Sequence, residues 1–131
     1  MPKSAHYYSF SNLLPLLFLL TAYRIFMLTQ AATAIDLYAD EAYYWGWAQH
    51  FDFGYYSKPP MVARLIMLTT SICGDSFVCI KIASPVVYFF TTLNIYFLAK
   101  ELFDEKVAFY SAVAFITLPA VWLSSLIIST D

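Results

Sequence analysis

The chain has 131 residues, of which 61% are apolar and 20% aromatic, while only 12% carry a charge. Soluble domains carry about twice that charged fraction, and a water-soluble core of this length could not hide so much apolar surface, whereas a bilayer removes the need. Seven Lys and Arg against nine Asp and Glu give a net charge of −2 with no basic run, which excludes nucleic acid as a natural partner.

The first apolar run, Leu13 to Ile35, reads LLPLLFLLTAYRIFMLTQAATAI. As a helix it is roughly 34 Å long, enough to cross a hydrocarbon core. Arg24 sits near its middle, where a guanidinium must face protein or water rather than lipid, most simply as the partner of a carboxylate or carbonyl elsewhere. A signal peptide is the alternative, with Lys3 ahead of the run and a small-residue "ATA" at positions 32–34. The stretch from Leu13 to Leu20 is short for that role, and Arg24 stands where a cleavable signal stays apolar or neutral.

Residues 36–76 are too polar at their start to span and too apolar to float free, so they are expected at the membrane interface. Asp40 is suited to cap a helix through EAYYWGWAQH, with Tyr43 and Trp47 as i,i+4 neighbours at headgroup level. Lys58 precedes a proline and must be extended, and Pro60 suits the first position of a helix running to about Ile72. Lys58 then lies just ahead of a helix N-terminus, a place that favours an anion such as phosphate; snorkelling is the plainer alternative. Asp40 and Glu41 are consecutive and cannot point the same way on a helix, so one can cap while the other reacts.

A break at CGDS, with Gly74 ending one helix and Asp75 or Ser76 capping the next, leads into a second crossing from Phe77 to Ala99. Within it Lys81 is expected to snorkel, Pro85 to kink the helix, and Asn94 to bond to a neighbouring helix. Cys73 and Cys79, six residues apart in apolar surroundings with no metal-like partners, read as packing residues. After the charged turn KELFDEK, residues 107–130 make a third crossing with Pro119 midway. Three crossings return Asp131 to the face that carries the loop between the first two. Lysines and arginines divide almost evenly between the two sides and leave the orientation open. The fold class is therefore an all-α membrane protein, with about three transmembrane helices plus amphipathic interfacial helices in the first loop.

In order along the chain, DEAYYWGW, GYYSKPPMVA, CGDSFVCIKIASPVV, AKELFDEKVA and a terminal ISTD together resemble a family. It is that of the membrane glycosyltransferases that use polyprenyl-phosphate sugars, the protein O-mannosyltransferase-like enzymes of the GT-C fold, including bacterial enzymes that add aminoarabinose to lipid A. The resemblance covers about residues 13–131. It implies a cytoplasmic N-terminus in the inner (plasma) membrane, a periplasmic active loop, and a lipid-linked sugar donor with a lipid, glycan or protein acceptor. It makes Asp40 the leading catalytic carboxylate and Glu41 its acidic companion at the substrate. By the same resemblance Lys58 of the Lys-Pro-Pro contacts the carrier phosphate, and Asp131 is a second active-site acid. Tyr44 and Tyr55 fall where loop tyrosines of the lipid A enzymes approach the donor.

Two departures stand out. The lipid A enzymes tend to have Arg where this chain has Tyr43 and Glu where it has Ser57. The missing Glu leaves a divalent metal of their kind unsupported and weakens the case for aminoarabinose and lipid A, and no other cofactor is implied. Family enzymes are also longer, so the chain reads as their N-terminal part, expected to be inactive alone. Two rival readings remain: a small non-enzymatic membrane protein whose loop is an anchor, and a transporter fragment with Arg24 and Lys81 lining a polar path.

Overall fold

The computed structural model describes residues 8–56 and 58–129. They form seven helices: α1 (Phe10–Ala31), α2 (Ala39–Ala48), α3 (Met61–Cys73), α4 (Phe77–Lys81), α5 (Ala83–Leu102), α6 (Glu105–Thr117) and α7 (Pro119–Ser124). No strand occurs among the described residues. Two stretches are long and apolar enough to cross a membrane: α1, and α4 with α5 taken together from Phe77 to Leu102. The helical stretches that correspond to the expected crossings at 13–35 and 77–99 are residues 10–31 and 77–102.

The third run departs from the expected single helix over 107–130. It breaks at Leu118, whose φ of −55° and ψ of 131° are extended, and Pro119 restarts the chain as the first residue of α7. A proline disfavours helical backbone in the residue before it and has no N–H to continue the ladder. Pro85 acts more mildly on the second stretch. Without an N–H it cannot donate to the Lys81 carbonyl, and α4 gives way to α5 at Ile82, whose backbone stays helical at φ −61° and ψ −24°.

α1, α5 and α6 form a bundle around Leu13, Leu17, Phe89, Tyr96, Ala99, Ala108, Ala112 and Ile116. The alanines let α5 and α6 approach closely, which is how helices associate where lipid is as apolar as their side chains. Asp104 caps α6 by accepting from the Val107 N–H at 2.7 Å, and Lys100 pairs with Glu105 at 3.1 Å across the turn. Tyr8 meets the Phe109 ring of α6 edge-on and Phe10 lies tilted against the Tyr96 ring of α5 at this same end, so α1 starts beside that turn and finishes at the opposite end, beside the loop. Asn94, expected to bond between helices, donates to the Phe90 carbonyl of its own helix at 2.8 Å.

Arg24 is fully buried in the bundle. Its Nη2 donates to the Ile116 carbonyl at 2.6 Å, one of the last carbonyls of α6, and the guanidinium lies 4.7 Å from the centre of the Trp122 ring. The expected carbonyl partner is therefore found, on the helix that breaks two residues later.

Candidate functional site

A second core gathers the loop. Tyr44 and Ala48 of α2, Val62, Ala63 and Ile66 of α3, Ile80, Ala83 and Ile128 pack together, so the loop helices and the end of the third run share one interior. α3 begins after Pro60 and ends at Gly74, whose φ of +86° is the left-handed conformation glycine adopts without strain. Ser76 caps α4 by accepting from the Cys79 N–H at 3.3 Å. Both boundaries match the expectation.

The cysteines do not. Cys73 and Cys79 form a disulfide across the Gly74–Ser76 turn, which corrects their reading as packing residues. The turn reverses the chain sharply enough to bring their Cα atoms to 6.0 Å, within disulfide reach. Beside it, the Trp45 Nε1–H donates to the Asp75 carboxylate at 3.1 Å and ties α2 to the same turn.

At the start of α2, Tyr38 occupies the N-cap position in place of Asp40. Asp40 is the second residue of the helix and is exposed. Glu41 is the third residue and fully buried. Its Oε2 accepts from the Tyr38 N–H at 3.0 Å and from the Lys81 ammonium at 2.8 Å, and its Oε1 accepts from the Ile128 N–H at 3.0 Å. Lys81, expected to snorkel, is instead 1% exposed, with its nitrogen 4.5 Å from the centre of the Phe77 ring and 5.2 Å from that of Tyr38. A lysine inside an apolar run was the one available signal of this pairing, because a charge at that depth needs a partner.

Of the other residues singled out, Tyr44 is in the second core, 2% exposed. Tyr55 stacks face to face on Trp47 at 5.3 Å and 9°, and its hydroxyl donates to the His50 carbonyl at 2.6 Å. Lys58 is half-buried two residues before the Pro60 cap of α3. Asp131, with Thr130 and Ser57, lies outside the described residues, but the chain leading to it is anchored on α2 at Ile128. No group of three or more His, Cys, Asp or Glu that could hold a metal gathers among the described residues.

A groove of about 410 Å³ runs beside this cluster. Met61, Val62 and Leu65 of α3 form one wall and Ser84, Val87, Tyr88 and Thr91 of α5 the other, with Ile128 and Ser129 at its edge. Sequence reading missed it because its walls come from helices that become neighbours only through the fold.

The family model described as dolichyl-phosphate-mannose-protein mannosyltransferase matches residues 57–131, more than half of the chain. The chain belongs to this mannosyltransferase family. It is also 38% identical, over 112 residues, to a lipid A galacturonosyltransferase, RgtD, of Rhizobium johnstonii. That match takes in 85% of the chain but 23% of the relative, so the chain spans about a quarter of that relative's length. No solved structure matches it significantly. Family membership agrees with the GT-C resemblance read from the loop motifs and with the all-helical fold.

Proposed function

We propose that these residues carry part of the active site of a membrane glycosyltransferase that moves a sugar from a polyprenyl-phosphate donor to a lipid, glycan or protein acceptor outside the cytoplasm. The observation that carries this reading is the hydrogen bond from the Ile128 N–H to Glu41, which joins the loop acids to the segment leading to Asp131, while α3, the helix that follows the Lys-Pro-Pro, packs in the same core. The disulfide supports an extracytoplasmic loop, since disulfides persist in oxidising compartments. The relative's name favours a lipid acceptor and a uronic sugar among the alternatives.

In this mechanism the carrier's tail lies along the apolar α3–α5 groove and its phosphate near Lys58. An acceptor hydroxyl attacks the anomeric carbon from the face opposite the phosphate. The new C–O bond forms as the bond to the phosphate breaks, with inversion at that carbon. Asp40 takes the acceptor's proton and Asp131 supports it, while polyprenyl phosphate departs as an anion that Lys58 stabilises. Tyr44 and Tyr55 act by shaping the wall of α2 that faces the donor. Residues 1–131 alone are expected to be inactive.

The test is sugar transfer by the full-length protein in proteoliposomes, with either a polyprenyl-phosphate sugar or the matching nucleotide sugar as donor. Transfer from the carrier only is expected. Transfer from the nucleotide sugar, or none from any carrier-linked sugar tried, contradicts the reading.

A further inference from the structure

We infer that Glu41 and Lys81 form a buried positioning pair that fixes the direction of Asp40 relative to the end of the third apolar run. The Glu41 carboxylate receives three donors from three separate stretches of chain: the Tyr38 N–H, the Lys81 ammonium and the Ile128 N–H. Its side chain is 0% exposed and that of Lys81 1%. A buried carboxylate is costly unless it is paired and hydrogen-bonded, so this arrangement tolerates little displacement of any of the three donors.

The consequence runs through helix geometry. Consecutive residues on a helix point about 100° apart, so with Glu41 held inward, the exposed Asp40 is turned outward. Glu41 thereby sets the rotation of α2 about its axis. The Ile128 N–H, 87 residues away in sequence, ties the chain just before Asp131 to the same carboxylate. Phe77 and Tyr38 stand over the ammonium and keep it beside its partner. With both oxygens engaged by protein donors, Glu41 acts through Asp40 rather than on the sugar, which replaces its expected role as a substrate ligand. The inference rests on the proposed reaction only for its effect on turnover.

The experiment uses the full-length protein in lipid nanodiscs. One pair of nitroxide labels sits at Gln49 and Leu123, reporting α2 against α7, and a second at Leu19 and Leu98, reporting the bundle; distances are read alongside steady-state transfer from a polyprenyl-phosphate sugar. Lys81→Met and Glu41→Gln are expected to broaden the first distance distribution, leave the second unchanged, and lower kcat about tenfold to a hundredfold with donor KM within about twofold. Lys81→Arg is expected to retain most of the rate. The exchange Glu41→Lys with Lys81→Glu restores opposite charges but leaves the Tyr38 and Ile128 N–H groups without an acceptor, and is expected not to rescue.

A first distribution that stays narrow in both single variants overturns the inference. So does broadening of both label pairs, which would make the pair a general support of the fold. A rise in KM at unchanged kcat assigns Glu41 to substrate and also overturns it, as does full rescue by the exchange. If the unaltered protein transfers no sugar, the proposed reaction fails while the distances still decide the pair.

Discussion

In the bundle of α1, α5 and α6, most buried side chains are apolar, with Thr21, Arg24, Ser84 and Thr92 as polar exceptions, and small residues such as Ala99, Ala108 and Ala112 set how closely the helices approach. In the loop core, a few ångströms of polar chemistry join what packing alone would leave adjustable: the Glu41–Lys81 pair at 2.8 Å, the Trp45–Asp75 bond at 3.1 Å and the Cys73–Cys79 disulfide. The difference follows from the solvent. Lipid gives helices no hydrophobic reason to associate, so they rely on close fit. Helices as short as α2 and α3 cannot hold themselves, and links of defined geometry do it for them.

Breaking each kind of link should therefore fail in a different place. The largest effect is expected for Lys81→Met, which strands the Glu41 carboxylate. Removing one partner of a buried pair costs about 3–5 kcal/mol, and hydrogen exchange should show it as lost protection in α2 and around Ile128 with α5 and α6 little changed. Next is the disulfide. Replacing Cys73 and Cys79 by serine, or reducing them, should cost about 2 kcal/mol, read as a lower unfolding midpoint for the loop. Ala112→Leu is the converse test. Overpacking that α5–α6 contact should cost about 1–3 kcal/mol in the bundle and leave the loop's hydrogen exchange unchanged.

The smallest effect belongs to the exposed turn at the far end. The Lys100 hydrogen bond holds the Glu105 carboxyl below its ordinary value of 4.5. A depressed carboxylate contributes stability above its unfolded value and loses it as the pH falls through the folded one. Glu105→Gln should accordingly flatten a shallow acid-side decline in stability without moving the neutral-pH midpoint measurably.

The contrast between the two regions also governed what the sequence made legible. Helix ends marked by Pro60, Gly74 and Ser76 were readable because each acts on its own backbone within a turn or two. The lengths of the first two apolar runs gave the two long helical stretches for the same reason. The break at Leu118 was harder, because the run stays apolar through it and hydrophobicity alone does not register a lost N–H. Glu41 and Lys81 each had a sufficient local explanation, as helix-start acid and snorkelling lysine, and only the fold brings residues forty positions apart to one ion pair. The two cysteines depended on how sharply the Gly74–Ser76 turn reverses the chain, which their spacing does not encode. The candidate site was legible in its motifs, through family resemblance, and not in its geometry: Tyr44 lies in a core and Tyr55 against Trp47.

The central claim is that Asp40 and Lys58 have separate duties toward one carrier-linked sugar. Steady-state transfer by the full-length protein, comparing Asp40→Asn with Lys58→Met on a single polyprenyl-phosphate sugar, tests it most directly. Asp40→Asn should lower kcat by about a hundredfold or more with donor KM little changed, and Lys58→Met should weaken the donor's binding as well as the rate. Near-normal transfer by Asp40→Asn would contradict the account and leave the loop as a membrane anchor.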